Sequence, residues 1–158
     1  MRIRHAMLRR LVFSAAALGL AGAGLVASGS AEAQSPAEAV SQRQEAMKAI
    51  GGASRTLNQM AREQRPFDAA EAKAAFETMA ANGEKARGLF PDGSDTGDSE
   101  VLPAAFENRA DFERRFDEFV TNARAGAEAT AQGADATIAA FRTAGQSCGG
   151  CHELYRAD

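Results

Sequence analysis

Tryptophan is absent, tyrosine occurs once, and aromatic residues make up only 6% of the 158 residues. Runs of β-branched residues are missing too, whereas alanine recurs throughout, so local propensity points to helix and away from an all-β fold. The hydrophobic (45%) and charged (25%) fractions are those of a soluble globular protein, and the length suits one domain. A collagenous, disordered or multi-pass membrane chain is thereby excluded.

Long apolar runs are equally scarce. One extends from Leu11 to Ala27, behind Arg2, Arg4, Arg9 and Arg10 and ahead of a small-residue stretch ending Ala31-Glu32-Ala33. This is the pattern of a secretory signal peptide (residues 1–33) cleaved after Ala33, which predicts a periplasmic protein with no membrane attachment once cut. A retained anchor is the competing reading, but the run falls short of the roughly 20 residues of a span and is diluted by Gly19, Gly22 and Gly24. The Arg9-Arg10 pair resembles a twin-arginine export signal, which any basic leader can imitate.

Cleavage removes four basic residues and one acidic residue, leaving 14 basic against 20 acidic and a net charge of −6. No basic patch remains for phosphate, so nucleic acid is not an expected partner. His5 also leaves, and His152 becomes the sole histidine, within four residues of both cysteines, Cys148 and Cys151.

Residues 34–158 divide into four amphipathic stretches. Ser35-Pro36 with Glu38, and Asp68 with Glu71, are N-terminal cap signatures that open helices over about 36–64 and 68–90. Asp92 to Leu102, rich in Gly, Ser, Asp and Thr, reads as an exposed crossover loop, and helices over about 108–131 and 135–157 follow, parted at Gln132-Gly133. Inward stripes run through Val40, Met47, Ile50, Ser54, Leu57 and Ala61; Ala72, Phe76, Met79, Gly83, Ala86 and Phe90; Phe112, Phe116, Phe119 and Ala123; and Ile138, Phe141, Gly145, Cys148, His152 and Tyr155. The expected fold is all-α: an antiparallel up-down-up-down four-helix bundle with left-handed crossings. Arg43 also falls on the inward face, where it needs an anionic partner unless its long stem carries the charge out of the bundle mouth.

Cys148-Gly149-Gly150-Cys151-His152 is a C-x-x-C-H run, the pattern of c-type haem attachment. Cysteines three apart on a helix reach two vinyl groups on one side of a porphyrin, and the next residue turns an imidazole to the iron. A thioredoxin-like redox pair expects a βαβ setting, and zinc normally needs a fourth protein ligand where the mature chain offers only these three cysteine and histidine side chains. One covalent haem c is the expected cofactor.

These features, with Tyr155-Arg156 after the motif, Arg43-Gln44 before Met47, Pro66-Phe67-Asp68 between the first two helices and Leu102-Pro103 ahead of an aromatic, resemble the class II c-type cytochromes, in particular the cytochrome c′ family. The resemblance implies that Arg43 and Gln44 contact haem propionates and that Arg156 lies beside the proximal His152. Phe106 stands where many members carry Trp and would pack on the haem, as would Phe141 from its place on the last stripe. Glu100 would approach a propionate on a loop alignment, and otherwise reads as a solvated acid.

The resemblance implies that Met47, four residues after Arg43, occupies the distal position. In cytochrome c′ a bulky apolar side chain there leaves iron five-coordinate and high-spin, whereas a related branch uses a methionine as sixth ligand in a low-spin electron carrier. Arg43-Gln44 favours the first. No second titratable group stands ready beside the iron, so the expectation is no enzyme but one-electron transfer to an unidentified redox partner, binding of NO or CO, or both. A haem-based sensor or an interaction module with structural haem is the alternative class. Outward positions of the first two helices, mostly Ala, Glu, Lys and Arg, predict a weak homodimer at best.

Overall fold

The computed structural model describes residues 34–157; the expected signal peptide at 1–33 lies outside the described residues. Four long helices, α1 (Pro36–Ala61), α2 (Ala69–Arg87), α4 (Arg109–Ala129) and α5 (Ala134–Tyr155), carry the fold, with a one-turn helix α3 (Ala104–Glu107) ahead of α4. No strand is present among the described residues, only an isolated antiparallel bridge between Val101 and Arg156.

The caps behave as the sequence predicts. Ser35 accepts the Glu38 N–H and Asp68 the Glu71 N–H, satisfying donors left over at the helix starts. The helix ends differ from expectation by a few residues, each for a local reason. Glu63 takes a φ of 57°, and Gln64 N–H bonds back to Gln59 C=O, a Schellman closure that ends α1 at Ala61 instead of 64. After Gly88, Leu89 and Phe90 leave α2 and turn inward, both buried. Gly133 has a φ of 99°, a left-handed conformation suited to glycine, and parts a 3-10 turn (Thr130–Gln132) from α5. Arg156 turns extended to meet Val101, stopping α5 at Tyr155.

Sequence neighbours among the long helices run antiparallel, so the N-termini of α1 and α4 meet the C-termini of α2 and α5 at one end. Two aromatic–glycine seams lock α2 to α4. A Cβ on Gly126 would lie 2.3 Å from the Phe76 ring, and one on Gly83 2.8 Å from the Phe119 ring. Phe76, Met79, Phe119, Val120, Leu57 and Ile50 belong to the main core cluster. A second cluster, at the end just described, packs Phe90 edge-to-face with Phe112 (centroids 4.7 Å apart), Phe112 with Phe116 (5.2 Å) and Phe112 with Tyr155 (5.2 Å).

The predicted stripes of α2 and α4 are buried throughout, but those of α1 and α5 are not. Val40, Ile50 and Leu57 are buried; Met47, Ser54 and Ala61 are half-buried. On α5 only Thr137, Ala144 and Tyr155 are buried, and Gly145 and His152 are exposed. The cause is that α1 packs on α2 and α5 on α4, while α1 and α5 barely meet. The crossover also departs from expectation: Ser94, in its middle, is completely buried.

Candidate functional site

At the end where the second cluster lies, a cavity of about 540 Å³ opens in the space between α1 and α5. Arg43, Gln44, Met47 and Lys48 from α1, and Cys151, His152 and Tyr155 from α5, line it. Phe90, Phe112 and Phe116 contribute an aromatic wall, and Ser99, Glu100 and Val101 come from the crossover. The size lies within the usual range for cofactor sites, about 300–1,000 Å³.

Cys148 and Cys151 are both free and half-buried; Cys148 packs on the main cluster and Cys151 on the second. Burial pushes both thiols up, so they are uncharged at neutral pH. His152 is exposed at the slot mouth, and the partial desolvation of its ring by the neighbouring protein, followed by the charge of Arg156, holds it below its ordinary value. Its imidazole is thus neutral, the form that ligates a metal.

Arg43 is 5% exposed, which removes the possibility that it snorkels into solvent. Its partner is not a carboxylate. Its Nη1 donates to Leu89 C=O (3.1 Å) and Ser94 Oγ (2.8 Å), its Nη2 to Ser94 C=O and Ser99 Oγ, and the guanidinium lies over the Phe90 ring at 4.7 Å. Burial lowers its pKa, opposed by the charge of Asp95. Gln44 donates to Asp98 C=O at 2.8 Å, so both residues tie the crossover to α1.

Arg156 and Glu100 pair at 2.8 Å at the cavity edge, with Ala157 N–H bonded to Glu100 C=O and Leu102 N–H to Tyr155 C=O. Both side chains are more than half exposed, so the backbone bonds, not the ion pair, hold the terminus to the crossover. Glu100 thus keeps a largely solvated side chain on a backbone that is held in place.

Phe106 and Phe141 do not line the cavity. Phe106 sits in α3 with Arg109 over its ring at 5.1 Å, and Phe141, about two turns before Cys148, packs on the main cluster. The aromatic wall is instead Phe90, Phe112 and Phe116, which sequence reading assigned to core stripes. Their signal was the concentration of Phe at one end of the bundle.

The residues fit a haem c: an apolar slot of cofactor size with Cys151 and the His152 imidazole on its lining, the second free thiol, Cys148, about one turn back on α5 and off the lining, and cationic Lys48 and Arg156 on the lining to pair with carboxylates. Bundle and slot together define a helical-bundle c-type cytochrome. A profile of the family described as Cytochrome C′ matches residues 38–156. Cytochrome c-556 of Agrobacterium fabrum is 37% identical over 117 residues, covering 74% of this chain and 80% of that one. Cytochrome c′ of Rhodopseudomonas palustris is 30% identical, covering 85% and 92%. The solved cytochrome c prime from Shewanella frigidimarina superposes with a TM-score of 0.76 at 33% identity, covering 80% and 99%. The chain belongs to the cytochrome c′ family.

Proposed function

We propose that the chain is an exported, periplasmic electron carrier and gas binder, in which Cys148 and Cys151 hold the haem by thioethers and His152 is the one protein ligand of a five-coordinate, high-spin iron. The bound haem supplies reversible one-electron chemistry and an iron able to take NO or CO. His152 presents its neutral ring. Lys48, Gln44 and Arg156 would face the propionate edge, with Glu100 there through its pair with Arg156, and Arg43 would act there through the crossover it holds. Phe90, Phe112 and Phe116 keep water from the slot.

The observation that carries the five-coordinate reading is the placement of Met47, half-buried and packed against both core clusters. Those contacts hold its thioether as an apolar wall. That Met47 also lines the slot with His152 sustains a second reading, a low-spin carrier with a sixth ligand from methionine sulfur. Turnover of an organic substrate is not proposed, since Glu100, the carboxylate on the slot, is paired with Arg156. The redox partner we propose is an unidentified protein; among the described residues no helix is long and apolar enough to span a membrane. Leu154 is the exposed large hydrophobic residue among those described, and it lies on α5, so self-association through α1 and α2 is a weak homodimer at most.

The test is spectroscopic. Protein matured with haem should keep its Soret band through acid–acetone extraction, have an intact mass of residues 34–158 plus one haem, and when ferrous show a broad high-spin spectrum that CO converts. Extractable haem would remove the attachment assignment. A sharp low-spin spectrum indifferent to CO would replace the five-coordinate reading by the second one.

A further inference from the structure

One carboxylate on α4 grips α5 on both sides of the attachment turn. Asp111 Oδ2 accepts the Tyr155 hydroxyl at 2.6 Å and Arg115 Nε at 2.7 Å, and Arg115 Nη1 donates to the Gly150 carbonyl at 3.1 Å. Gly150 and Tyr155 bracket Cys151 and His152. A Cβ on Gly150 would lie 3.5 Å from Arg115 Nη1, an ordinary van der Waals contact, so the guanidinium packs directly against the backbone at this turn. Tyr155 is buried against Phe112, which fixes where its hydroxyl can point. Arg114 takes the other carboxylate oxygen and holds the group from the solvent side.

We infer that Asp111 and Arg115 are positioning residues for the haem ligand: by anchoring the Gly150 carbonyl and the Tyr155 hydroxyl they set the direction in which His152 presents its imidazole. Neither touches the ligand. Their action passes through the last turns of α5, where a guanidinium is also well placed toward the negative end of the helix dipole. Partners of this kind govern ligand orientation in metal sites. The inference rests on His152 as the axial ligand.

The experiment uses matured ferric holoprotein with Arg115→Leu, Arg115→Lys, Tyr155→Phe and, as a remote charge control, Arg124→Leu, which breaks a pair with Glu84. Two readouts apply: the spread of the paramagnetically shifted haem methyl resonances, which follows the imidazole plane, and amide exchange over Cys151–Leu154. Arg115→Leu should change the methyl spread and speed exchange by about tenfold, the loss of one charge-assisted hydrogen bond. Arg115→Lys should recover part of both, Tyr155→Phe should move both less far, and Arg124→Leu neither. A wild-type methyl spread in Arg115→Leu, even with reduced thermal stability, overturns the inference. If Arg115→Leu does not mature, an unchanged spread in Tyr155→Phe overturns it. Haem that extracts from the wild type would instead strike at the attachment assignment, so the two failures are distinct.

Discussion

Arg43 on α1 donates to both the hydroxyl and the carbonyl of Ser94, 51 residues further along the chain, and this pair fastens the crossover over the slot. The guanidinium is buried among neutral acceptors, so its removal leaves the Leu89 and Ser94 carbonyls without donors. Arg43→Met should cost about 2–4 kcal/mol, the sum of two stranded polar groups. Arg43→Lys, with one nitrogen for four acceptors, should recover only part of this. Urea titration of both variants measures it, and a loss below about 0.5 kcal/mol in Arg43→Met would contradict the role.

One substitution has opposite signs at a glycine in the α2–α4 seam and at a glycine outside it. Gly126→Ala drives a methyl into the Phe76 ring, which is fully buried and has nowhere to move, and should destabilise by about 1–3 kcal/mol. Gly52 is exposed in the middle of α1 with nothing near its missing Cβ, so Gly52→Ala should stabilise by about 0.5–1 kcal/mol through helix propensity alone. Thermal unfolding of the pair should move in opposite directions.

Periodicity made the four long helices legible because caps and apolar spacing are local signals. The attachment turn was legible because its chemistry demands a fixed spacing. The slot's walls were not, since Phe90, Phe112 and Phe116 satisfy a core stripe equally well, and only the parting of α1 from α5 reveals that they border a cavity. Arg43 was placed inward correctly, but its partners are carbonyls and hydroxyls of a loop with no period to read. The same holds for the clamp at Gly150: Asp111 and Arg115 are four apart on one helix, a spacing that carries no signal of a partner elsewhere, and their grip on α5 is a tertiary fact.

Asp111 also predicts a pH dependence. The hydrogen bond from Tyr155, then those from Arg115 and Arg114, hold its carboxyl well below the usual carboxylate range. A depressed folded value means that the unfolded chain binds the proton first, so the stabilisation is complete above the unfolded pKa of about 3.9 and is lost as pH falls below it towards the folded value. Asp111→Asn should therefore be less stable than wild type at pH 7, and the gap should narrow as pH drops below about 4. Urea midpoints at pH 7, 5, 4 and 3 give the curve. A gap independent of pH would show that the carboxylate's charge contributes nothing.

Met47 separates the two coordination readings by kinetics. On α1 it lies about 11 residues from the helix start, about 16 Å along the axis, and on α5 His152 lies three residues before the end at Tyr155, about 5 Å from the same end of the bundle. The axial offset of about 11 Å between their backbones is one that two side chains with a haem ring between them would bridge, with Met47 either as sulfur ligand or as apolar shield. Shielding requires Met47 to yield before a gas reaches iron, and its contacts with both clusters make that yielding slow. Met47→Ala removes the obstacle, so CO binding to the ferrous protein should accelerate by at least about tenfold, the equivalent of about 1.4 kcal/mol in the barrier, while the spectrum before CO stays high-spin. Stopped-flow mixing measures the rate and the resting spectrum together. A wild-type spectrum that is low-spin and turns high-spin only in Met47→Ala would make the sulfur a ligand, and the protein an electron carrier with no free site for gas.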